Sequence, residues 1–176
     1  PIRVLQVLHS LHVAGGEVLV HDVVSTADAS QFEHAVVLLD DLGPLGEDLR
    51  ARGFRVDVLG RKPGLDARVP ARLAKLMAEW RPDVVHAHDP HGVAMAALGL
   101  SMSSLQPAPP LVASRRVDFR LKRHSFSQWK YRQVSAFIAA SEAIAAILAS
   151  DGIPRSRIVT VHEGIDVDRI ARLEPA

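Results

Sequence analysis

The stretch Val69-Pro70-Ala71-Arg72-Leu73-Ala74-Lys75-Leu76-Met77-Ala78-Glu79-Trp80-Arg81-Pro82-Asp83-Val84-Val85-His86-Ala87-His88-Asp89 decides the fold. Leu73, Leu76, Met77 and Trp80 fall at i, i+3, i+4 and i+7, which is one face of an amphipathic helix over Val69–Trp80. Arg81-Pro82 ends that helix, because the residue before a proline is pushed out of the α region. Val84-Val85 follows as a short run that is apolar on both faces. Strands of that kind belong to parallel sheets covered on both sides. The run then ends in polar, titratable residues: His86, His88 and Asp89.

The same unit repeats outward in both directions. Further apolar runs lie at Val4–Leu8, Ala35–Leu39, Val56–Leu59, Leu111–Ala113, Phe137–Ala140 and Ile158–Val161. Helical patterns separate them at Gly16–Thr26, Leu45–Arg52, Gly92–Leu100 and Glu142–Ser150. Arg52-Gly53 and Asp151-Gly152 supply helix stops, and Ser141 is a good N-cap. Gly92–Leu100 is small and apolar, as in a helix pressed closely on a sheet. This alternation predicts an open, doubly wound α/β sheet with right-handed crossovers. Ser101–Pro110 and Gly60–Pro70 read as irregular loops, and the tail after Ile165 is polar. The expected domain therefore spans residues 1–165, with 166–176 starting a connection.

Composition narrows the class. The chain has 176 residues, 48% of them hydrophobic, enough for one domain with a single core and too apolar for disorder. No cysteine is present, which excludes a disulfide framework, a Cys-based zinc site and a thiol nucleophile. The 21 Lys+Arg nearly cancel the 20 Asp+Glu, against the strongly basic balance of a nucleic-acid binder. The longest apolar runs, such as Val93–Leu100, are far shorter than the ~20 residues a bilayer requires. Pro1–Leu8 reads as a strand rather than a signal peptide, so a cytoplasmic location is the expectation.

In open α/β sheets ligands bind beyond the carboxyl ends of the strands. His9, Ser10 and the turn Ala14-Gly15-Gly16-Glu17 follow the first strand. His86, His88, Asp89 and His91 follow the fourth, and Ser114, Arg115 and Arg116 the fifth. Ser141-Glu142 follows the sixth, and His162, Glu163 and Gly164 the seventh. Gly15 and Gly16 either let backbone N–H groups approach an anion at a helix start or serve a tight turn with positive φ. The turn matches neither G-x-G-x-x-G nor a Walker A loop. His86 and His88 stand at i and i+2, on one face of a strand. They suit orientation of a sugar hydroxyl, proton transfer, or, with Asp89, His91 and His162, a zinc site. Packing of His86 under a loop is the plainer alternative. Ser141-Glu142 reads equally as an ordinary helix cap.

Ser114–Arg132 holds seven of the 21 Lys+Arg, Lys122 among them, and four aromatics against one acid, Asp118. Such a segment suits a phosphate, an anionic acceptor or an anionic membrane surface, or else forms a solvated helix face. Arg115 and Arg116 have the geometry to fork onto a phosphate or carboxylate.

Taken in order, these pieces resemble the N-terminal domain of the retaining glycosyltransferase family 4, of GT-B architecture. The matching motifs are Arg3–Leu8, Ala14-Gly15-Gly16-Glu17, Arg81–His88, Ala140-Ser141-Glu142-Ala143, Gly152–Ile158 and Glu163-Gly164-Ile165-Asp166, covering nearly the whole chain. The resemblance implies a Rossmann-like, doubly wound, mostly parallel sheet of about seven strands, one half of a GT-B fold. It also implies transfer of a sugar from a nucleotide-sugar donor with retention, with no catalytic metal or other cofactor. This half would bind the sugar or lipid-linked acceptor, and an absent C-terminal domain would bind the nucleotide. A chain of this extent would then be inactive alone. By position, His88 corresponds to the active-site histidine near the transferred sugar, and Gly15 and Gly16 to the turn at the donor diphosphate. Arg115 and Arg116 fall where acceptor contacts are often made. His86, Lys122, Ser141, Glu163 and Gly164 complete the expected substrate-binding set. The sequence departs from the family pattern in two places. Ala14 replaces the first glycine of the usual Gly-Gly-Ala-Glu, and His162-Glu163-Gly164 stands for Pro-Asn-Gly. The basic and aromatic segment Ser114–Arg132 is the expected place of any peripheral contact with the inner membrane face. Two other classes stay open: a metal-dependent hydrolase using His86, His88 and His91, and a non-catalytic α/β ligand-binding domain.

Overall fold

Alternation along the second strand shows how the layers form. Ala35, Val37 and Leu39 face one hydrophobic cluster, while Val36 and Leu38 face another. All five are buried, because helices cover both sides of the sheet at this point. A computed structural model describes residues 1–62 and 66–164. Pro63 and Gly64 of the expected loop, and the expected connection over 166–176, lie outside the described residues.

Among the described residues, seven strands alternate with six α-helices. The strands are β1 (Ile2–Leu8), β2 (Phe32–Leu38), β3 (Arg55–Val58), β4 (Val84–Ala87), β5 (Leu111–Arg115), β6 (Val134–Ala139) and β7 (Ile158–Thr160). The helices are α1 (Gly15–Thr26), α2 (Gly43–Ala51), α3 (Arg68–Trp80), α4 (Pro90–Met102), α5 (Ser125–Arg132) and α6 (Glu142–Ser150). Every pairing is parallel and the order is β3-β2-β1-β4-β5-β6-β7, so the expected mostly parallel sheet is wholly parallel among the described residues. The order reverses between β1 and β4, which makes their carboxyl ends a topological switch point.

The larger cluster joins α3, α4, α5 and α6 to one face, through Leu73, Met77, Ala97, Tyr131 and Leu148. The smaller joins α1 and α2 to β1, β2 and β3, through Val20, Val24 and Leu49. Helix α4 is built from small residues because it lies close. A Cβ on Gly99 would meet the Met77 Cε at 3.0 Å. Helix α3 ends as expected, with Arg81 in the left-handed region (φ 53°) ahead of Pro82. Among the described residues, no helix is long and apolar enough to cross a membrane.

Candidate functional site

The site is assembled at the switch point. His88 follows β4 and its N–H donates to the Val7 carbonyl of β1 at 3.1 Å. Asp89 is the N-cap of α4. One carboxylate oxygen accepts from the N–H groups of His91 and Gly92, each at 2.8 Å. The other accepts from the His9 N–H at 2.8 Å, tying the ends of β1 and β4 together. Asp89 is therefore committed to the backbone. His91 lies against His9, with ring centroids 5.5 Å apart, rather than beside His88. Among the described residues, no three His, Cys, Asp or Glu side chains are grouped to hold a metal ion. The hydrolase alternative thus loses the ligand set it required.

His86 and His88 do share a face, with ring centroids 4.0 Å apart. Around them runs a chain of hydrogen bonds whose direction follows from one fact: a guanidinium only donates. Arg116 Nη1 lies 3.2 Å from His88 Nδ1, so Nδ1 is the unprotonated acceptor. The neutral His88 then carries its proton on Nε2 and donates it to Gln6 Oε1 at 2.6 Å. Gln6 Nε2 in turn donates to His34 Nδ1 at 3.2 Å. Among the described residues, His34 Nε2 is left buried without a partner. His86 Nε2 pairs with the Ser114 hydroxyl at 2.8 Å.

Burial keeps these rings neutral. It pushes His88 well below the ordinary imidazole range, and the neighbouring His86 and Arg116 act in the same direction. His86 is pushed down to about 4, first by burial, then by Arg116 and His34. His34 is lowered by burial alone. Neutral rings of this kind exchange hydrogen bonds at pH 7 and do not serve as cationic acids.

Arg116 carries the chain outward, pairing with Glu163 beyond β7. Arg115, its neighbour, donates to the Phe119 carbonyl. Both arginines line the same two cavities at this edge of the sheet. Gly15 and Gly16 open α1 as its first two residues, with no side-chain cap on the helix. Neither has a positive φ, so the tight-turn explanation of the pair does not hold. A Cβ on Gly16 would sit 3.6 Å from Arg116 Cδ, and one on Gly15 would meet nothing within 4 Å. The uncapped N–H groups of α1 thus open beside the Arg116 side chain. That arrangement attracts anions.

A cleft of about 590 Å³ lies beside Arg116, lined by His86, Ser114, Arg115, Arg116, Glu163 and Gly164 on the sheet side. Leu19, Val23 and Thr26 of α1 line it opposite. His88 lines a smaller adjoining cavity of about 140 Å³ with Arg116 and Tyr131. Two expected site residues are placed elsewhere. The Ser141 hydroxyl caps α6, accepting from the Ile144 N–H at 3.3 Å. Lys122 lines a separate groove with Arg123, Arg132 and Arg157. Gln6 and His34 are what sequence reasoning missed. The available signal was a lone amide inside the apolar run of β1, since a polar side chain buried in a parallel sheet requires a partner.

An all-parallel seven-stranded sheet with polar groups converging on its carboxyl edge defines a class, the Rossmann-like α/β domain, and its fold matches one half of GT-B glycosyltransferase structures. The chain belongs to Glycosyltransferase Family 4, whose family model matches residues 13–169. No curated protein matches it in sequence. Among solved structures, a glycosyltransferase from Rickettsia africae superposes with TM-score 0.75 at 18% identity, covering 99% of this chain and 46% of that one. Alr3699/HepE from Anabaena, solved in complex with UDP-glucose, gives TM-score 0.71 at 21% identity, covering 96% and 45%. The lipopolysaccharide outer core galactosyltransferase WaaB gives 0.72 at 14%, covering 94% and 47%. The chain thus spans just under half the length of each of these structures.

Proposed function

We propose that this chain is the acceptor-binding half of a retaining glycosyltransferase, which moves a sugar from a nucleotide-sugar donor to an acceptor. In that reaction the bond from the anomeric carbon to the diphosphate oxygen breaks, a bond to an acceptor hydroxyl oxygen forms, and the hydroxyl proton passes to the departing diphosphate. Negative charge accumulates on the departing diphosphate. The observation that carries the reading is the meeting of three elements at the switch point: the uncapped start of α1, Arg116, and neutral His88. The first two suit the diphosphate charge. In this reading Arg116 swings from His88 onto the phosphate, and the vacated Nδ1 accepts from a sugar hydroxyl. The proton on Nε2 stays with Gln6, so His88 orients the sugar and does not protonate it. A nucleotide-sugar donor is in keeping with the UDP-glucose bound by the Anabaena relative.

The test is release of nucleoside diphosphate from a panel of nucleotide sugars. The 176-residue chain alone is expected to be silent. Joined to a donor-binding half it is expected to transfer sugar, and Arg116→Ala then lowers kcat by about a hundredfold or more, the usual loss for one charge-stabilising donor. Transfer by the isolated chain above a His88→Ala control refutes the proposal. So does a joined enzyme indifferent to both substitutions.

A further inference from the structure

Beyond Arg116, the loop between β5 and α5 takes no part in the chemistry above, yet it is built to a definite shape. Arg115 donates to the Phe119 carbonyl. Asp151 accepts from the Leu121 N–H at 2.7 Å and from Arg120 Nη1 at 3.2 Å. The backbone is therefore held on both sides of Arg120, and Phe119 is left 73% exposed beside Val117 at 43%. Phe126, at the start of α5, is 44% exposed. A bulky apolar ring fixed in solvent contributes nothing to the core.

Cations surround these apolar groups. Lys122, Arg123 and Arg132 are exposed, and with Arg157 they line a groove of about 390 Å³. The acid in that groove, Asp151, is already engaged by the loop. The whole chain carries only +1, so the positive charge is a local feature. A partner that satisfies both sets of groups must be anionic at its surface and apolar just beneath. Nucleic acid supplies the first property without the second.

We propose that this face docks on an anionic lipid bilayer, with headgroup phosphates in the Lys122–Arg123 groove and Phe119 and Val117 in the interfacial layer. Each cation near such a surface adds to the attraction, and each buried apolar side chain adds further.

Vesicle co-sedimentation of the 176-residue chain tests this, using phosphatidylcholine alone and equal parts phosphatidylcholine and phosphatidylglycerol. Binding to the anionic vesicles and not the neutral ones is expected, weakening as salt rises. Lys122→Glu with Arg123→Glu is expected to lower the partition coefficient at least about tenfold, and Phe119→Ser about fivefold. Circular dichroism melts confirm that each variant is folded, and all three positions are exposed. Equal binding to neutral vesicles overturns the proposal, as does no binding, or binding that ignores both variants. Saturation of the groove by inorganic phosphate without any vesicle binding assigns it to a free anion and overturns the proposal too.

Discussion

Gln6→Leu isolates the hydrogen-bond chain beneath the site. Gln6 is 1% exposed in the middle of β1, and its side chain joins His88 at 2.6 Å to His34 at 3.2 Å. Leucine keeps most of the volume and removes both bonds. His88 Nε2–H loses its acceptor. His34, whose Nε2 already lacks a partner, loses its donor at Nδ1 as well. Two buried polar groups left unsatisfied cost roughly 1–3 kcal/mol each. Burying the leucine returns about 1.5–3 kcal/mol. The expected net loss is about 2 kcal/mol, read in urea denaturation as a lower midpoint at unchanged slope. Nitrogen NMR of the imidazoles supplies the second readout. The parent should show His88 as the Nε2–H tautomer, and the variant a mixture. A Gln6→Leu chain as stable as the parent, with the His88 tautomer unchanged, refutes the claim that the amide holds that ring.

Two further outcomes are expected. His86 has its pKa lowered to about 4 in the folded chain, below the ordinary 6.5 of the unfolded one. The unfolded state therefore takes up a proton first as pH falls. Stability is complete above the unfolded value and drains as pH drops toward the folded one. His86 alone accounts for about 2 kcal/mol lost between about pH 6.5 and pH 5, at roughly 1.4 kcal/mol per unit. The lowered pKa of His88 acts in the same direction. A melting temperature that stays level across that window contradicts the neutral-ring account. Gly16→Ala should fold well, since its Cβ meets Arg116 Cδ at an ordinary 3.6 Å and the backbone is not left-handed. Stability is expected to rise by about 0.5 kcal/mol, while the joined enzyme binds nucleotide sugar more weakly. Lower stability together with unchanged binding would falsify the assignment of Gly16 to ligand approach.

Periodicity made most of the fold legible. Doubly apolar runs such as Ala35–Leu39 belong to strands covered on both sides, and Leu73, Leu76, Met77 and Trp80 mark one buried helix face. Helix ends were less legible. Helix α2 begins at Gly43 rather than Leu45, and α4 at Pro90 rather than Gly92. Proline is tolerated in a first turn, and an apolar pattern alone does not mark where that turn begins. Helix α5 departs further from expectation. A solvated helix with its aromatics turned inward describes Tyr131, yet Lys130 is buried and Phe126 is exposed. The Lys130 ammonium donates to the Pro90 carbonyl at 2.7 Å, and that bond is what lets the stem lie inside.

The sequence by itself determined the alternation of strands and helices, and which residues stand at each strand's carboxyl end. Those are local properties, set by side-chain period and by turn residues within a few positions. The tertiary structure alone decided the partners. Arg116 links His88 to Glu163, Gln6 faces His88 across the sheet, and Asp89 is a helix cap rather than a metal ligand. Lys122 lies in another groove. The links across the sheet follow from strand order, in which β1 lies next to β4 and brings residues 82 positions apart within 2.6 Å. Strand order depends on how all the helices share the two faces of the sheet, and no short window of sequence carries that information.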